Sequence, residues 1–519
     1  MQKNKPHLIY IMPERTKLFE LFPPVSTEEW MNRIKSDLKG EDFNNKLVWK
    51  TSMGFDVMPF YRLEDIEYLR YIDIRPGEMP FIRGEKTVNN NWKIRQDVKV
   101  TDYADANRKA LTLIEGGTDS IGFHITNPDS ITTDNFKILL KDTDPETIEL
   151  NFLSDGRATE LLTAFSNTIK DYSSGKISGA VETDPLSRLM LNGKLCIPVE
   201  KGFDYLAEVA QMTTSLPLFR AVHINSSNFR NAGADIVTEL AFAISMGVEY
   251  LFRFAERDIF PGVASGKIRF SFGTGPEYFP EIAKLRAARL LWSVVMNAFK
   301  SGTGVSAQME IHSVTIRLNK TTDDPYINML RTQTEAMSAI LGGADSITVE
   351  PYDIVFKQPD EFSERIARNQ QLILREEAWF GKVADPAGGS YYIEKLTDLI
   401  AKHAWKLFLE IENYGGFVKA LEKGVIKQKI SEKAMNLKSR YRKNLIYLPD
   451  LIKVQAEPSV TFLPVAFNRP EFSIEDLDEI VPGKGDPSVK LSGQQSEEAW
   501  ITPEGMAVKS FYTERDLAG

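Results

Sequence analysis

Histidine offers the widest range of chemistry near neutral pH, and the sequence holds five of them. They are His7, His124, His223, His312 and His403. His223 and His312 fall near the ends of two predicted strands, where a side chain can act as an acid, a base or a hydrogen-bond donor. No spacing among the five is typical of a zinc site. The alternative interpretation is that the strand histidines are packed structural residues.

Such residues need a scaffold, and residues 92–380 alternate short apolar or β-branched runs with longer helical patterns, as repeated βα units do. Eight strands are predicted, at residues 93–97, 120–125, 148–153, 177–182, 220–224, 268–272, 308–312 and 346–349. The clearest helices are at 157–172, 234–252, 276–299 and 325–341, the last with Asp323 or Asp324 as N-cap. Eight units close a (β/α)8 TIM barrel, which is an α/β fold. An open doubly wound sheet is the alternative, although no GxGxxG opens the first βα turn.

Three segments are expected outside the barrel, which is assigned to residues 76–395. Residues 1–75 are predicted to form an N-terminal arm, with an amphipathic helix over 27–38 capped at Ser26 or Thr27 and an extended stretch over 46–58. Residues 396–450 are predicted to be a helical extension on the outside of the barrel, with Gly415-Gly416 as a break. Residues 451–519 have the composition of a linker.

The end of the sequence repeats an early segment. Residues 49–65 read WKTSMGFDVMPFYRLED, and residues 500–516 read WITPEGMAVKSFYTERD. The two align without a gap and share Trp, Thr, Gly, Val, Phe, Tyr and Asp. The match indicates an internal repeat of one short module.

Composition excludes several classes of partner. The net charge of -9 and the pI near 5.4 give no basic footprint, so neither nucleic acid nor an anionic membrane surface is an expected partner. The sequence has no run of about 20 apolar residues, and no signal peptide is expected. Cys196 is the single cysteine, so an internal disulfide is excluded, and it is expected to be a packed residue. A soluble cytoplasmic protein is predicted.

Two longer segments carry a resemblance to a known family. Residues 223–251, HINSSNFRNAGADIVTELAFAISMGVEYL, and residues 269–292, RFSFGTGPEYFPEIAKLRAARLLW, resemble the barrel of the adenosylcobalamin-dependent acyl-CoA mutases, the methylmalonyl-CoA mutase family. The turn ADPAGGSYY at 384–392 extends the resemblance, which covers about residues 22–446. In that family a W-x-T-x-x-G module stands ahead of each barrel. Its second copy therefore implies the beginning of a second mutase copy, as in a truncated or interrupted fusion.

The resemblance also implies which positions should perform the mutase chemistry, and this sequence departs from most of them. The family's strand-four Gln aligns with Glu182, and its substrate-carboxylate Arg aligns with Asn192. Asn228 stands where catalytic members carry a His, and Val314 replaces the Gln of a His-x-Gln motif that begins at His312. The loop ahead of the first strand is short and lacks the family's tyrosine. No catalytic residue is therefore expected in this chain.

Binding residues are the remaining candidates. Arg269, Ser271 and His312 are the positions expected to contact substrate or CoA, although Arg269 could equally form an ion pair at the barrel rim. The family's cobalamin motif, D-x-H-x-x-G, is absent, so neither cofactor nor metal is expected on this chain. Whether the barrel interior is open to CoA is left undecided by the sequence. The basic side of the helix over 281–292 is expected to face solvent, and it consists of Lys284, Arg286 and Arg289.

The resemblance favours a non-catalytic small subunit of a heterodimeric methylmalonyl-CoA mutase. Its large-subunit partner would hold adenosylcobalamin and interconvert methylmalonyl-CoA and succinyl-CoA, with the N-terminal arm at the interface. One alternative is an acyl-CoA-binding chain whose cobalamin domain is a separate polypeptide, as in enzymes of the isobutyryl-CoA mutase type. A second alternative is an unrelated barrel enzyme or a CoA-sensing protein.

Overall fold

The computed structural model of the chain describes residues 24–154, 156–299, 308–444, 470–478, 500–501 and 507–508. Capping residues in the sequence determine where the first helices begin. Helix α1 runs over Thr27–Asp37. Its N-cap is Ser26, which forms a capping box with Glu29. A short helix α2, Phe43–Lys46, follows.

A hairpin replaces the extended stretch that the sequence predicted over residues 46–58. Strands β1, Trp49–Lys50, and β2, Asp56–Val57, pair antiparallel with Trp49 opposite Val57. The chain reverses between them because Gly54 adopts a φ of +95°, which a residue with a side chain rarely takes. The predicted extended stretch thus consists of two short strands separated by a turn.

Eight parallel strands close into a barrel, which confirms the predicted (β/α)8 fold. They follow chain order around the barrel, and β10 pairs with β3 to close it. The strands are β3 Lys93–Val100, β4 Ser120–Ile125, β5 Glu149–Ser154, β6 Gly179–Thr183, β7 Phe219–Asn225, β8 Ile268–Thr274, β9 Glu310–Thr315 and β10 Ser346–Thr348. All eight predicted strands are present, with ends shifted by up to three residues.

Helices follow the strands on the outside of the barrel. They are α3 Tyr103–Glu115, α4 Thr133–Leu139, α5 Ala158–Thr168, α6 Pro185–Asn192, α7 Val199–Met212, α8 Ser227–Asn231, α9 Ile236–Ala255, α10 Pro261–Ser265, α11 Tyr278–Ala298, α12 Ile327–Leu341 and α13 Glu361–Glu376. The predicted cap of α12 at Asp323 or Asp324 was wrong, since the N-cap is Tyr326 and no side chain caps it. Asn328 instead bonds both the N–H and the carbonyl of Thr321 and so holds the preceding turn.

A helical extension covers the outside of α11. It comprises α14 Tyr391–Asn413, α15 Phe417–Glu422 and α16 Val425–Asn444, followed by a short α17 at Glu475–Asp478. The chain breaks where expected, at Gly415 and Gly416, which both have a φ of +96°. Two further strands, β11 Trp500–Ile501 and β12 Ala507–Val508, pair antiparallel. Most of the predicted linker and residues 1–23 of the predicted arm lie outside the described residues.

The basic side of α11 does not face solvent, so that prediction was wrong. Lys284, Arg286 and Arg289 are all buried, because α9, α12 and α14 enclose the helix. Arg286 pairs with Glu394 of α14 at 2.6 Å and with Asp385. Arg286 therefore joins the extension to the barrel, whereas Lys284 pairs with Glu239 of α9 and Arg289 donates to the carbonyl of Gly342 after α12.

Cys196 was also predicted wrongly, since it is exposed in the loop between α6 and α7. Within the described ranges, no helix is long and apolar enough to cross a membrane. No group of three or more His, Cys, Asp or Glu residues in the same ranges could hold a metal ion.

Replacing Gly179 with alanine should severely destabilise the barrel. Gly179 has a φ of +149°, and a Cβ there would lie 1.8 Å from the carbonyl oxygen of Leu150 in the neighbouring strand. We expect a loss of more than about 3 kcal/mol in the free energy of unfolding, measured by urea denaturation. Gly175→Ala is the matched control, because a Cβ at Gly175 meets nothing within 4 Å. Equal stability of the two variants would contradict the strand packing described here.

Candidate functional site

The barrel axis is lined by charged side chains. Inward-facing positions alternate along a barrel strand, and ordinary TIM barrels fill them with Val, Ile and Leu. Here strands that are not neighbours exchange ion pairs, which requires those side chains to cross the interior. We call the set the axial ion-pair network; it comprises Lys93, Arg95, Asp97, Glu149, Glu182, Arg220, Arg269 and Glu310.

Arg269 is the centre of the network near the amino ends of the strands. Its guanidinium donates to Glu310 and to Asn151, each at 2.5 Å, and lies 3.3 Å from Glu149. Glu149 also accepts from Lys93 at 2.9 Å. Arg269 is 1% exposed. Its donors are therefore engaged by protein groups inside the axis rather than presented at the barrel rim.

Glu182 is the centre of the network nearer the carboxyl ends of the strands. Its carboxylate accepts from Arg95 at 2.5 Å, and His223 Nδ1 lies 3.1 Å from the same oxygen. Arg95 also donates to Asp97 at 2.8 Å. Burial opposes ionisation of Glu182, but Arg95 and His223 together hold the pKa of the carboxyl well below its usual range. Glu182 is therefore an ionised and paired group.

His312 lies in the middle of β9 rather than at its end. Its Nδ1 is 2.8 Å from Ser346 Oγ, and its Nε2 is 3.3 Å from Thr348 Oγ1. Burial, together with the cation Arg95 close by, lowers the pKa of His312 well below its usual range. The imidazole is therefore neutral near pH 7, and it is held by hydroxyl groups of the adjacent strand.

The other predicted site residues are uncharged and form no ion pair of the network. Asn192 is exposed at the end of α6, and Asn228 is half-buried in α8. Val314 is half-buried on β9, where it pairs in register with Thr348. Ser271 is buried on β8, and its carbonyl accepts from the Ser226 hydroxyl at 2.7 Å. Of the predicted positions, Glu182 and Arg269 belong to the network. Ser271 and Val314 share the inward faces of β8 and β9 with Arg269 and Glu310 but form none of its ion pairs.

Sequence reasoning missed most of the network. The unrecognised members are Lys93, Arg95, Asp97, Glu149, Arg220 and Glu310. A signal was available, because charged residues recur at every second position in the first predicted strand, as Lys93, Arg95 and Asp97. On a strand, that period places all three side chains on one face.

The described network is charge-balanced, and three of its eight members, Arg95, Glu149 and Arg269, are buried. Four cations meet four anions, so the axis needs no further ion for neutrality. A ligand that entered along the axis would have to separate these pairs. Breaking one buried pair costs about 3–5 kcal/mol, because an uncompensated charge remains. The arrangement therefore opposes entry of a ligand at this level of the barrel, where each of the eight charges is paired.

Comparison with known proteins identifies the family to which this chain belongs. The family model for methylmalonyl-CoA mutase matches residues 50–135 and 129–446, which together are most of the chain. The chain belongs to the methylmalonyl-CoA mutase family. The resemblance predicted from residues 223–251 and 269–292 is therefore confirmed.

The chain aligns to different shares of its relatives in this family. It is 43% identical over 437 residues to the methylmalonyl-CoA mutase small subunit of Porphyromonas gingivalis, covering 82% of this chain and 68% of that one. It is 32% identical to the methylmalonyl-CoA mutase of Rhizobium meliloti and 30% identical to the mitochondrial enzyme of Homo sapiens, over 75% and 79% of this chain. It spans 58% of the length of each of those two mutases. Among solved structures, a dihydropteroate synthase of Coxiella burnetii is 14% identical to this chain, with a TM-score of 0.32. The alignment covers 55% of this chain and 94% of the synthase chain.

Replacing His312 with asparagine should flatten the pH dependence of stability. Because the folded pKa of His312 is lowered, only the unfolded chain binds that proton between the folded value and about pH 6.5. The free energy of unfolding of the native protein should thus fall as the pH falls below about 6.5, by at most about 1.4 kcal/mol per pH unit. His312→Asn removes this contribution.

The measurement is urea denaturation at several values between about pH 5 and pH 7. His124→Asn is the matched control, because it makes the same replacement at an exposed histidine near the end of β4. A His312→Asn profile parallel to that of the native protein would show that the buried imidazole does not titrate as argued.

Proposed function

We propose that this chain is the non-catalytic small subunit of a heterodimeric methylmalonyl-CoA mutase. In this proposal a large subunit holds adenosylcobalamin and interconverts methylmalonyl-CoA and succinyl-CoA, and this barrel supplies a pairing surface. The observation that carries the proposal is the axial ion-pair network, which occupies the interior where an acyl-CoA would have to be held. The 43% identity to a protein named as a small subunit supports it.

The state of Glu182 supports a loss of substrate binding. A mutase has to hold the carboxylate and the thioester carbonyl of its substrate in a site that excludes water. Glu182 is ionised and would repel a substrate carboxylate, and its partner Arg95 is already neutralised by it. Asn228 cannot supply a proton or a charged donor near neutral pH. The residues of this chain thus neither bind nor protonate the substrate.

The four described histidines do not fit adenosylcobalamin as a resident group of this chain. A histidine that holds the cofactor needs an accessible imidazole nitrogen. His223 and His312 are buried in the axis, and the Nδ1 of His403 is 2.8 Å from the carbonyl of Leu399 within α14. His124 is exposed but lies outside any D-x-H-x-x-G sequence, and His7 lies outside the described residues.

Helix α1 supports a role in pairing. It carries Trp30, which is 48% exposed, on an amphipathic helix that buries none of its residues. A helix with an apolar face of this kind suits a groove on another protein. Aromatic anchors such as Trp also contribute disproportionately to the affinity of protein interfaces. We place the large-subunit contact on this helix of the N-terminal arm.

Replacing Trp30 with serine should weaken binding to the large subunit by about tenfold or more, because the largest apolar contact of α1 is removed. The equilibrium dissociation constant of the purified chains, measured by biolayer interferometry, gives the result. Ile138→Ser is the matched control, since Ile138 is a 44% exposed apolar residue on the barrel helix α4. If the two variants bound the large subunit with equal affinity, the arm would not be part of the interface.

Turnover distinguishes the proposed subunit from its alternative. The chain alone, given adenosylcobalamin and methylmalonyl-CoA, should form no succinyl-CoA, and the complex with the large subunit should form it. Asn228→His should remain inactive alone, because the axial ion-pair network still fills the barrel. If adding a cobalamin-binding chain that has no acyl-CoA barrel produced turnover, the non-catalytic role would be wrong and the acyl-CoA-binding alternative favoured.

A further inference from the structure

A cleft lies where the helical extension meets the segment at residues 68–71. It has a volume of about 290 Å³ and is bounded by that segment, by Leu290 of α11, by α14 and by Leu477 of α17. A second cleft of about 220 Å³ adjoins it, because Lys402 and Leu477 line both. We call the two clefts together the α14 groove. Their volumes together reach the size of small-molecule sites.

The wall that α17 contributes to the groove is anchored to α14. The ring of Phe472 lies 5.9 Å from the ring of Trp405 and 5.1 Å from the ring of Phe408. Trp405 also donates to the carbonyl of Ser473 at 2.6 Å. These contacts hold the apolar side of α17 against the groove. The apolar residues that line the groove are Leu69, Leu290, Ala401, Ile474 and Leu477.

Positive charge in the groove is only partly paired. Lys402 is paired with Asp398, whose carboxylate lies 3.0 Å from its Nζ and accepts from the Tyr68 hydroxyl at 2.5 Å. Arg70 lines the larger cleft and Lys406 the smaller one, and both are exposed. Neither forms an ion pair with another residue in the described part of the chain. The groove therefore favours a ligand with negative charge.

A buried hydroxyl group belongs to the larger cleft as well. Tyr71 lines this cleft and is 9% exposed, and its hydroxyl has no hydrogen-bond partner among the described residues. Buried hydroxyl groups are normally bonded. Burial, together with the carboxylate of Asp398, raises the pKa of Tyr71 well above its usual value. The hydroxyl therefore keeps its proton and is a donor available to an anion.

We propose that the α14 groove binds an aliphatic carboxylate. The carboxylate accepts from Arg70 and Tyr71, since a guanidinium presents paired donors in the geometry that a carboxylate fits. The hydrocarbon chain lies on Leu290 and Leu477, along the aliphatic part of Lys402. A polyphosphate fits less well, because Lys402, one of the two described cations of the larger cleft, is already paired. The site lies outside the barrel axis and does not depend on the proposed function.

Isothermal titration calorimetry of the full chain with octanoate tests the site. We expect saturable binding with a negative change in heat capacity, because apolar surface is buried. Acetate has the charge without the chain, and 1-octanol has the chain without the charge. Each should bind at least about tenfold more weakly than octanoate. If octanoate did not bind, or if either of the other two compounds bound as tightly, the proposal would be overturned.

Substitutions test whether octanoate binds in the groove. Arg70→Gln should weaken binding about tenfold, and Tyr71→Phe, which removes only a hydroxyl without a described partner, should weaken it too. Arg365→Gln is the matched control, because Arg365 is an exposed arginine on α13 that does not line the groove. The assignment fails if Arg70→Gln binds octanoate as tightly as Arg365→Gln, or if Tyr71→Phe binds it as tightly as the native chain.

Discussion

Charge balance along the barrel axis is the constraint on which the rest of the structure depends. Buried ions are tolerated when they are paired, and the loss of one partner leaves a charge that destabilises the fold. Arg269 links β5, β8 and β9, and Arg95 links β3 with β6. These contacts therefore cross the barrel interior and join strands that are not neighbours.

A second buried network joins the helical extension to the barrel. Arg286 of α11 pairs with Asp385 in the turn ahead of α14 and with Glu394 inside it, and Arg83 pairs with Asp385 at 2.8 Å. The extension is thus fixed to the barrel by ions as well as by apolar packing. On α14, the ring of His403 lies 4.9 Å from the ring of Phe55, so the extension also contacts the turn at residues 52–55.

The strands could be predicted from sequence, whereas the partners of the charges could not. Alternation of β-branched and helical segments is local, so all eight strands were located from it. The pairing of Lys93 with Glu149 joins strands 56 residues apart, and no local pattern reveals it. The amphipathic pattern of α11 gave a wrong prediction of solvent exposure for Arg286, because a helix that α14 covers on its outer side has no solvated face. The identical residues of the repeat were recognised, but the hairpin they form depends on the reversal at Gly54.

The balanced axis also bears on how this barrel can evolve. Replacing Glu182 with glutamine would leave Arg95 without its full counter-charge and so would lower stability. Any variant with an odd number of network charges has the same destabilising imbalance. A change of the interior charges would therefore require paired substitutions on several strands together. Once such a network is established, surface residues can be substituted one at a time, whereas the interior charges can change only together.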